Sequence, residues 1–172
     1  NTLAALRAGA RHASVTVLGL GERAGNAALE EIAVAAAQTG HFVTGVRIAE
    51  LNHLATLAAD AAGRAIGEMK AIVGRDIFSH ESGVHVSGLL KDKCAYQALD
   101  PEALGRRHAI VIGKHSGLAA LRAVCSDLGL DAEAEAMALA EIRSLARHTK
   151  RAVPVDQARR IASAFQQILA VR

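Results

Sequence analysis

Ala13-Ser14-Val15-Thr16-Val17-Leu18, followed by Gly19-Leu20-Gly21-Glu22-Arg23-Ala24-Gly25-Asn26, is the stretch on which the fold class turns. Its first six residues are mostly apolar and β-branched, with no helical period, and read as a short buried strand. The glycine-rich run then turns the chain, and residues 26–38 read as a helix with Leu29, Ile32, Ala33 and Ala36 on its apolar face. Upstream, residues 2–9 read as another helix, already under way at Asn1, so the chain is expected to be a piece of a longer protein. Helix, strand, loop and helix in succession is the grammar of an α/β protein. In an α/β barrel the loop after a strand carries binding and catalytic groups, which makes Glu22, Arg23 and Asn26 candidate site residues.

Working outward, Gly40 stops that helix and residues 50–62 form another, with Leu51, Leu54, Ala55, Ala58 and Ala62 on one face. Between Gly63 and Gly113 the pattern is irregular, and only residues 82–90 look helical. Asp100-Pro101 has the form of a helix start, with the aspartate as N-cap and proline at the first helical position. Residues 108–112 alternate as a small strand. Ser116 is expected to cap a helix reaching about Leu128, Asp131 to open a second to about His148, and residues 155–170 to form a third after Pro154. The division expected is 1–40, the end of a catalytic barrel; 41–112, a linker subdomain; and 113–172, a helical C-terminal subdomain.

The 172 residues are 51% hydrophobic but only 2% aromatic, so the core has to be built from Ala, Leu, Val and Ile. No run approaches the ~20 apolar residues of a membrane span, and no basic-then-apolar leader is visible. A soluble cytoplasmic protein without membrane contact is expected. Cys94 and Cys125 lack a C-x-x-C spacing and read as two free buried thiols. The net charge of +3 reflects a late basic excess: Arg143, Arg147, Lys150, Arg151, Arg159, Arg160 and Arg172 face only Asp156. With almost no aromatic residues to stack bases, this is a solvated helix face and not a nucleic-acid surface.

Three polar clusters carry whatever chemistry there is. The first has the form of a dinucleotide fingerprint, Gly19-x-Gly21-x-x-Ala24. The acidic residue needed about twenty positions on is absent, Phe42-Val43-Thr44-Gly45 standing there instead. In the second, Phe78-Ser79-His80-Glu81-Ser82-Gly83-Val84-His85, the histidines are five apart and so do not form a two-ligand helix face. Either is a satisfied buried histidine or a group for proton transfer near neutrality. The third, Gly113-Lys114-His115-Ser116-Gly117, fails as a phosphate-binding P-loop because His108 and His115 occupy two required positions. Lys114 and His115 are left to hold a subdomain interface or an anion.

Taken together, Gly-Leu-Gly-Glu-Arg-Ala-Gly-Asn at 19–26, His-Glu-Ser-Gly-Val-His at 80–85, Tyr96 with Asp100-Pro101 and Gly105-Arg106, and Gly-Lys-His-Ser-Gly at 113–117 resemble the C-terminal part of the enzymes that join acetyl-CoA to 2-oxo acids, the homocitrate, 2-isopropylmalate and citramalate synthases. The resemblance implies the last units of a (β/α)8 barrel, with residues 13–18 as its final strand, followed by mostly helical linker and C-terminal subdomains in a linker-swapped homodimer. It implies His85 and Tyr96 as the catalytic pair, Asn26 at a divalent metal (Mg, Mn or Zn), and Glu22 and Arg23 supporting that site. The principal metal ligands are expected upstream of Asn1, leaving this stretch inactive by itself. Leu18, Ser87 and Leu118 depart from the family's usual Asn, Asp and, in the isopropylmalate branch, Arg. The chain's end at Arg172 and Leu118 favour a homocitrate synthase of the nitrogen-fixation type acting on 2-oxoglutarate. The alternatives are 2-isopropylmalate synthase acting on 2-oxoisovalerate, and a helical dimerisation or regulatory module without chemistry.

Overall fold

A computed structural model describes residues 1–92 and 97–170 of the chain, without the side chains of Val84, Ser87 and Leu90. The chain divides into two compact units, Asn1–Phe78 with Asp100–Arg107, and Ser79–Leu99 with His108–Arg172.

The first unit contains α1 (Thr2–Arg7), α2 (Leu29–Thr39) and α3 (Leu51–Ala62). Its core is built from small residues, Ala33, Val34, Ala36, Leu51, Ala55 and Ala59, closed by Val73, Phe78 and Leu104. Helix α3 buries positions 51, 55 and 59; Leu54 and Ala62 of the expected face are exposed. In an alanine-rich helix several faces are equally apolar, so periodicity alone does not select among them.

The strand expected over residues 13–18 is not formed. Thr16 makes a single parallel bridge with Ala28, and the chain then enters a 3-10 turn, Val17–Gly19, with Leu18 at φ 60°. A side chain accounts for this. Glu30, 1% exposed in the first turn of α2, accepts the Leu18 N–H at 3.0 Å, occupying an amide that a strand ladder would use. The Thr16 carbonyl takes the Leu29 N–H at 2.9 Å, so α2 starts three residues later than expected.

The segment 100–107 is clipped onto the same unit. Asp100 accepts the Glu102 N–H at 3.0 Å, and the chain continues into a 3-10 turn, Glu102–Leu104, in place of the helix expected there. The Arg106 guanidinium donates to the carbonyls of Gly74 and Arg75, both at 2.6 Å, and lies 5.3 Å from the Phe78 ring centre. Stacking and two carbonyl contacts suit a planar, five-donor group.

The second unit opens with β1 (Ser79–His80), α4 (Gly83–Lys91) and β2 (Ala109–Ile110), and continues into α5 (Leu118–Cys125), α6 (Ala132–Thr149) and α7 (Val155–Ala170). Strands β1 and β2 pair in parallel, Ser79 opposite Ala109 and His80 opposite Ile110. The three last helices enclose a core of Ile112, Leu121, Leu139, Ile142 and Val153, with alanines and the free, buried Cys125 between them. Cys94 lies outside the described residues. Asp131 caps α6 as expected, accepting the Ala134 N–H at 2.7 Å. Ser116 does not cap α5: it is fully buried, its Oγ accepts the Gly113 N–H at 2.9 Å, and Gly117 takes the N-cap position. Helices with small parallel pairings make this the α/β fragment that the sequence pattern implies. Among the described residues no helix is long and apolar enough to cross a membrane.

Candidate functional site

The glycine loop of the first unit closes on itself. Asn26 N–H reaches back to the Gly19 carbonyl at 2.9 Å, and Gly25 N–H to that of Glu22 at 2.8 Å. Gly25, at φ 82°, sits so close to the Gly19 carbonyl that any Cβ would overlap it. Thr16 Oγ1 and Asn26 Nδ2 both donate to the Leu20 carbonyl, at 2.7 and 3.0 Å, pinning the loop from its two ends. Glu22, Arg23 and Asn26 are brought together on this loop, and all three are exposed. The amide nitrogen of Asn26 is spent on Leu20, which leaves its oxygen as the one remaining donor atom of an exposed side chain. One amide oxygen is not a metal site, and among the described residues no group of three or more His, Cys, Asp or Glu side chains could hold a metal ion. The residues described here therefore do not by themselves fit the metal that the resemblance implies.

Chemistry in the second unit centres on histidines. The β1–β2 pairing sets His80 beside His108, with His80 Nε2 3.1 Å from His108 Nδ1 and ring centres 5.1 Å apart. His108 Nε2 lies 3.2 Å from Gln97 Oε1. An amide oxygen only accepts, so His108 donates from Nε2 to Gln97. Burial, and then the neighbouring His108 and His85, hold the His80 pKa below the ordinary histidine value. His85, in the first turn of α4, is exposed and edge-on to His80, ring centres 6.3 Å apart. An accessible imidazole beside a hydrogen-bonded histidine pair is a group of the type that accepts or delivers a proton in catalysis. Tyr96, expected as its partner, lies outside the described residues, as does the side chain of Ser87.

His108 and Gln97 were not visible as site residues in the sequence. A two-residue parallel pairing joins His80 to a position 28 residues away and leaves no periodic trace.

Glu81 turns to the third cluster, where its Oε1 accepts the His115 N–H at 2.8 Å. Ser116 Oγ lies 3.1 Å from the Glu81 carbonyl, and Arg143 Nε donates to the Ser116 carbonyl at 2.8 Å. The buried part of Gly113-Lys114-His115-Ser116-Gly117 thus ties α4, α5 and α6 together, and Lys114 and His115 remain exposed.

Residues 1–58 match the family described as HMGL-like, and residues 72–150 the family described as homocitrate synthase post-HMGL domain-like. The chain is 40% identical over 158 residues to a putative (R)-citramalate synthase of Methanopyrus kandleri, covering 91% of this chain and 31% of that protein. It is 43% identical over 153 residues to 2-isopropylmalate synthase 2 of Caldanaerobacter subterraneus subsp. tengcongensis, covering 88% and 40% respectively. With a homocitrate synthase of Frankia alni it shares 43% over 129 residues, 75% of this chain and 37% of that one. The chain thus spans well under half the length of these relatives.

Proposed function

We propose, from the match of residues 1–58 to the HMGL-like family and of residues 72–150 to the homocitrate synthase post-HMGL domain-like family, that the chain is part of an enzyme condensing acetyl-CoA with a 2-oxo acid. The reaction removes a proton from the acetyl methyl group, forms a carbon–carbon bond to the keto carbon, and hydrolyses the thioester to release coenzyme A. The observation that carries this reading is His85, exposed beside the hydrogen-bonded His80–His108–Gln97 series. His85 is the group proposed to move the proton at the reacting centre, with Tyr96 as its partner. His80 and His108 are positioning residues.

The oxo acid proposed is 2-oxoglutarate, giving homocitrate. Support comes from the description matched by residues 72–150 and from Leu118, where the isopropylmalate branch usually has arginine. Glu22, Arg23 and Asn26 are proposed to line the same reaction's site from the glycine loop. No step is assigned to a metal on this chain, because its described residues do not assemble a ligand set. A linker-swapped homodimer and the three-part division at residues 40 and 112 belong to the same proposal.

The test is release of coenzyme A by the complete enzyme with 2-oxoglutarate, 2-oxoisovalerate and pyruvate. Preference for 2-oxoglutarate is expected; preference for 2-oxoisovalerate moves the protein to the isopropylmalate branch. His85→Ala is expected to lower kcat by about 10²- to 10⁴-fold with the fold intact, the range of a lost general acid or base. Near-normal turnover in that variant overturns the role given to His85 and favours the reading of a non-catalytic helical module.

A further inference from the structure

We infer that the exposed stripe of α3 is a contact between two copies of this chain, packed antiparallel about a two-fold axis at Leu57. Helix α3 buries Leu51, Ala55 and Ala59, four residues apart, against its own unit. A second apolar stripe runs beside that one: Leu54, Leu57 and Ala61 are all exposed, Leu57 by 54%. Single exposed apolar residues are ordinary on a surface, and α5, α6 and α7 have one large one each, Leu118, Met137 and Ile168. Among the described residues α3 is the one helix with two, and their spacing of three puts them on one face.

The pattern around them indicates what covers the stripe. Glu50, Leu54, Leu57, Ala61 and Arg64 follow one another at intervals of four, three, four and three residues, the repeat by which one helix packs along another. The middle is apolar and the two ends carry opposite charge. The helix dipole favours an acid at the N-terminal end and a base at the C-terminal end, which accounts for the signs but not for the leucines between them.

Charge then selects the partner. A second α3 laid parallel sets Glu50 beside Glu50 and Arg64 beside Arg64. Laid antiparallel, it sets each Glu50 beside an Arg64 and opposes the two helix dipoles favourably. Leu57 stands midway between the two charges, so in that register it meets its own counterpart, and Leu54 of each copy falls between Leu57 and the small Ala61 of the other. A contact that pairs one surface with itself in this way closes on two copies.

A helix of 12 residues is about 18 Å long and about 10 Å wide, so this contact alone covers less than the ~800 Å² per partner of a standard interface. It is one part of a larger interface. The inference therefore rests on the homodimer proposed above, and adds which surface and which register that dimer uses.

The test uses the complete protein carrying Leu57→Cys, a change at an exposed position that leaves the core untouched. In a glutathione redox buffer this variant is expected to form a disulfide-linked dimer that the parent, with its own thiols, does not. Adding Glu50→Arg turns both attractive pairs repulsive and is expected to lower the equilibrium ratio of linked to unlinked protein roughly tenfold. Adding Arg64→Glu as well is expected to restore it, which a merely structural role of Glu50 would not produce. Light scattering on the same samples keeps the two readings apart: a dimer that never links at position 57 overturns the contact and leaves the homodimer standing, whereas a monomer overturns both. Linkage indifferent to the charge swap overturns the antiparallel register and the inference with it. A thiol at position 57 that neither links nor reacts with a maleimide puts the stripe against another part of its own chain, which also overturns the inference. None of these outcomes bears on His85, whose role is read from release of coenzyme A.

Discussion

Replacing Lys70 by methionine isolates the interaction on which the shape of the glycine loop rests. The Glu30 carboxylate is 1% exposed and holds Leu18 N–H through Oε2. Its Oε1 has no hydrogen-bond partner among the described residues, and its compensation is coulombic, Lys70 Nζ at 3.4 Å. Lys70 also pairs with Glu31. Burial alone would lower the Lys70 pKa, but the hydrogen bond to Glu31 and the charges of Glu30 and Glu31 outweigh it and leave the pKa raised. Two charges about 4 Å apart at an effective dielectric constant of about 20 attract by about 4 kcal/mol. Because the lysine is 26% exposed, solvent replaces part of that attraction when it is removed, and the expected loss is about 2–3 kcal/mol, at or just under the range for breaking a buried pair. The assay is hydrogen exchange at the Leu18 amide, which is expected to speed up roughly 30- to 150-fold in Lys70→Met. Glu30→Gln keeps an acceptor for that amide while removing the buried charge, so the double variant is expected to recover most of the loss. A Leu18 amide as protected in Lys70→Met as in the parent, to within about 0.5 kcal/mol, would falsify the account.

Other perturbations read other parts of the fold. Ser116→Ala leaves the Gly113 N–H buried without its acceptor and is expected to cost about 1–3 kcal/mol in urea denaturation; a loss below about 0.5 kcal/mol would show that the hydroxyl does not organise this loop. Leu18→Asn places a residue that tolerates the left-handed region at φ 60° and is expected to stabilise by about 1 kcal/mol, with no gain counting against strain at Leu18. His80 is expected to titrate below the usual histidine value when followed by NMR. The unfolded chain then binds the additional proton first as pH falls, so this contribution to stability is present above pH ~6.5 and is lost below it, until folded His80 is protonated too. Denaturation profiles between pH 5 and 8 that are the same for the parent and His80→Gln would contradict this.

Sequence pattern read the helices well where their ends are chemically marked. Asp131, Gly40, Gly63 and Pro154 each lie at a boundary of α6, α2, α3 or α7, because caps and stops act over one turn of chain. It misread residues 13–18, because Ser-Val-Thr-Val is as good a strand as any and what breaks it is a carboxylate twelve residues on. It read Leu51 and Ala55 of the α3 face but put Leu54 and Ala62 there in place of Ala59, because alanine supplies no contrast. The closed glycine loop was legible in its glycine spacing, and so was the presence of histidine chemistry around residues 80–85. The partners of His80 were not, since a pairing of two residues by two is fixed by tertiary packing and not by local pattern.

Carboxylates explain how the polar clusters divide between scaffold and chemistry. Glu30 is spent on the Leu18 amide and Glu81 on the His115 amide, so these two acids, beside the first cluster and within the second, serve the backbone as Asp131 does at the start of α6. Each holds a turn whose conformation its own residues do not enforce, Leu18 being the clearest case. An acid fixed in this way is poorly placed to act as a general base, because taking a proton would surrender the amide it holds. Proton transfer near neutral pH in the second unit therefore falls to the imidazoles, and of His80, His85 and His108 only His85 is exposed. The same division runs through Gly113-Lys114-His115-Ser116-Gly117: Gly113 and Ser116 are buried and hydrogen-bonded, while Lys114 and His115 are exposed.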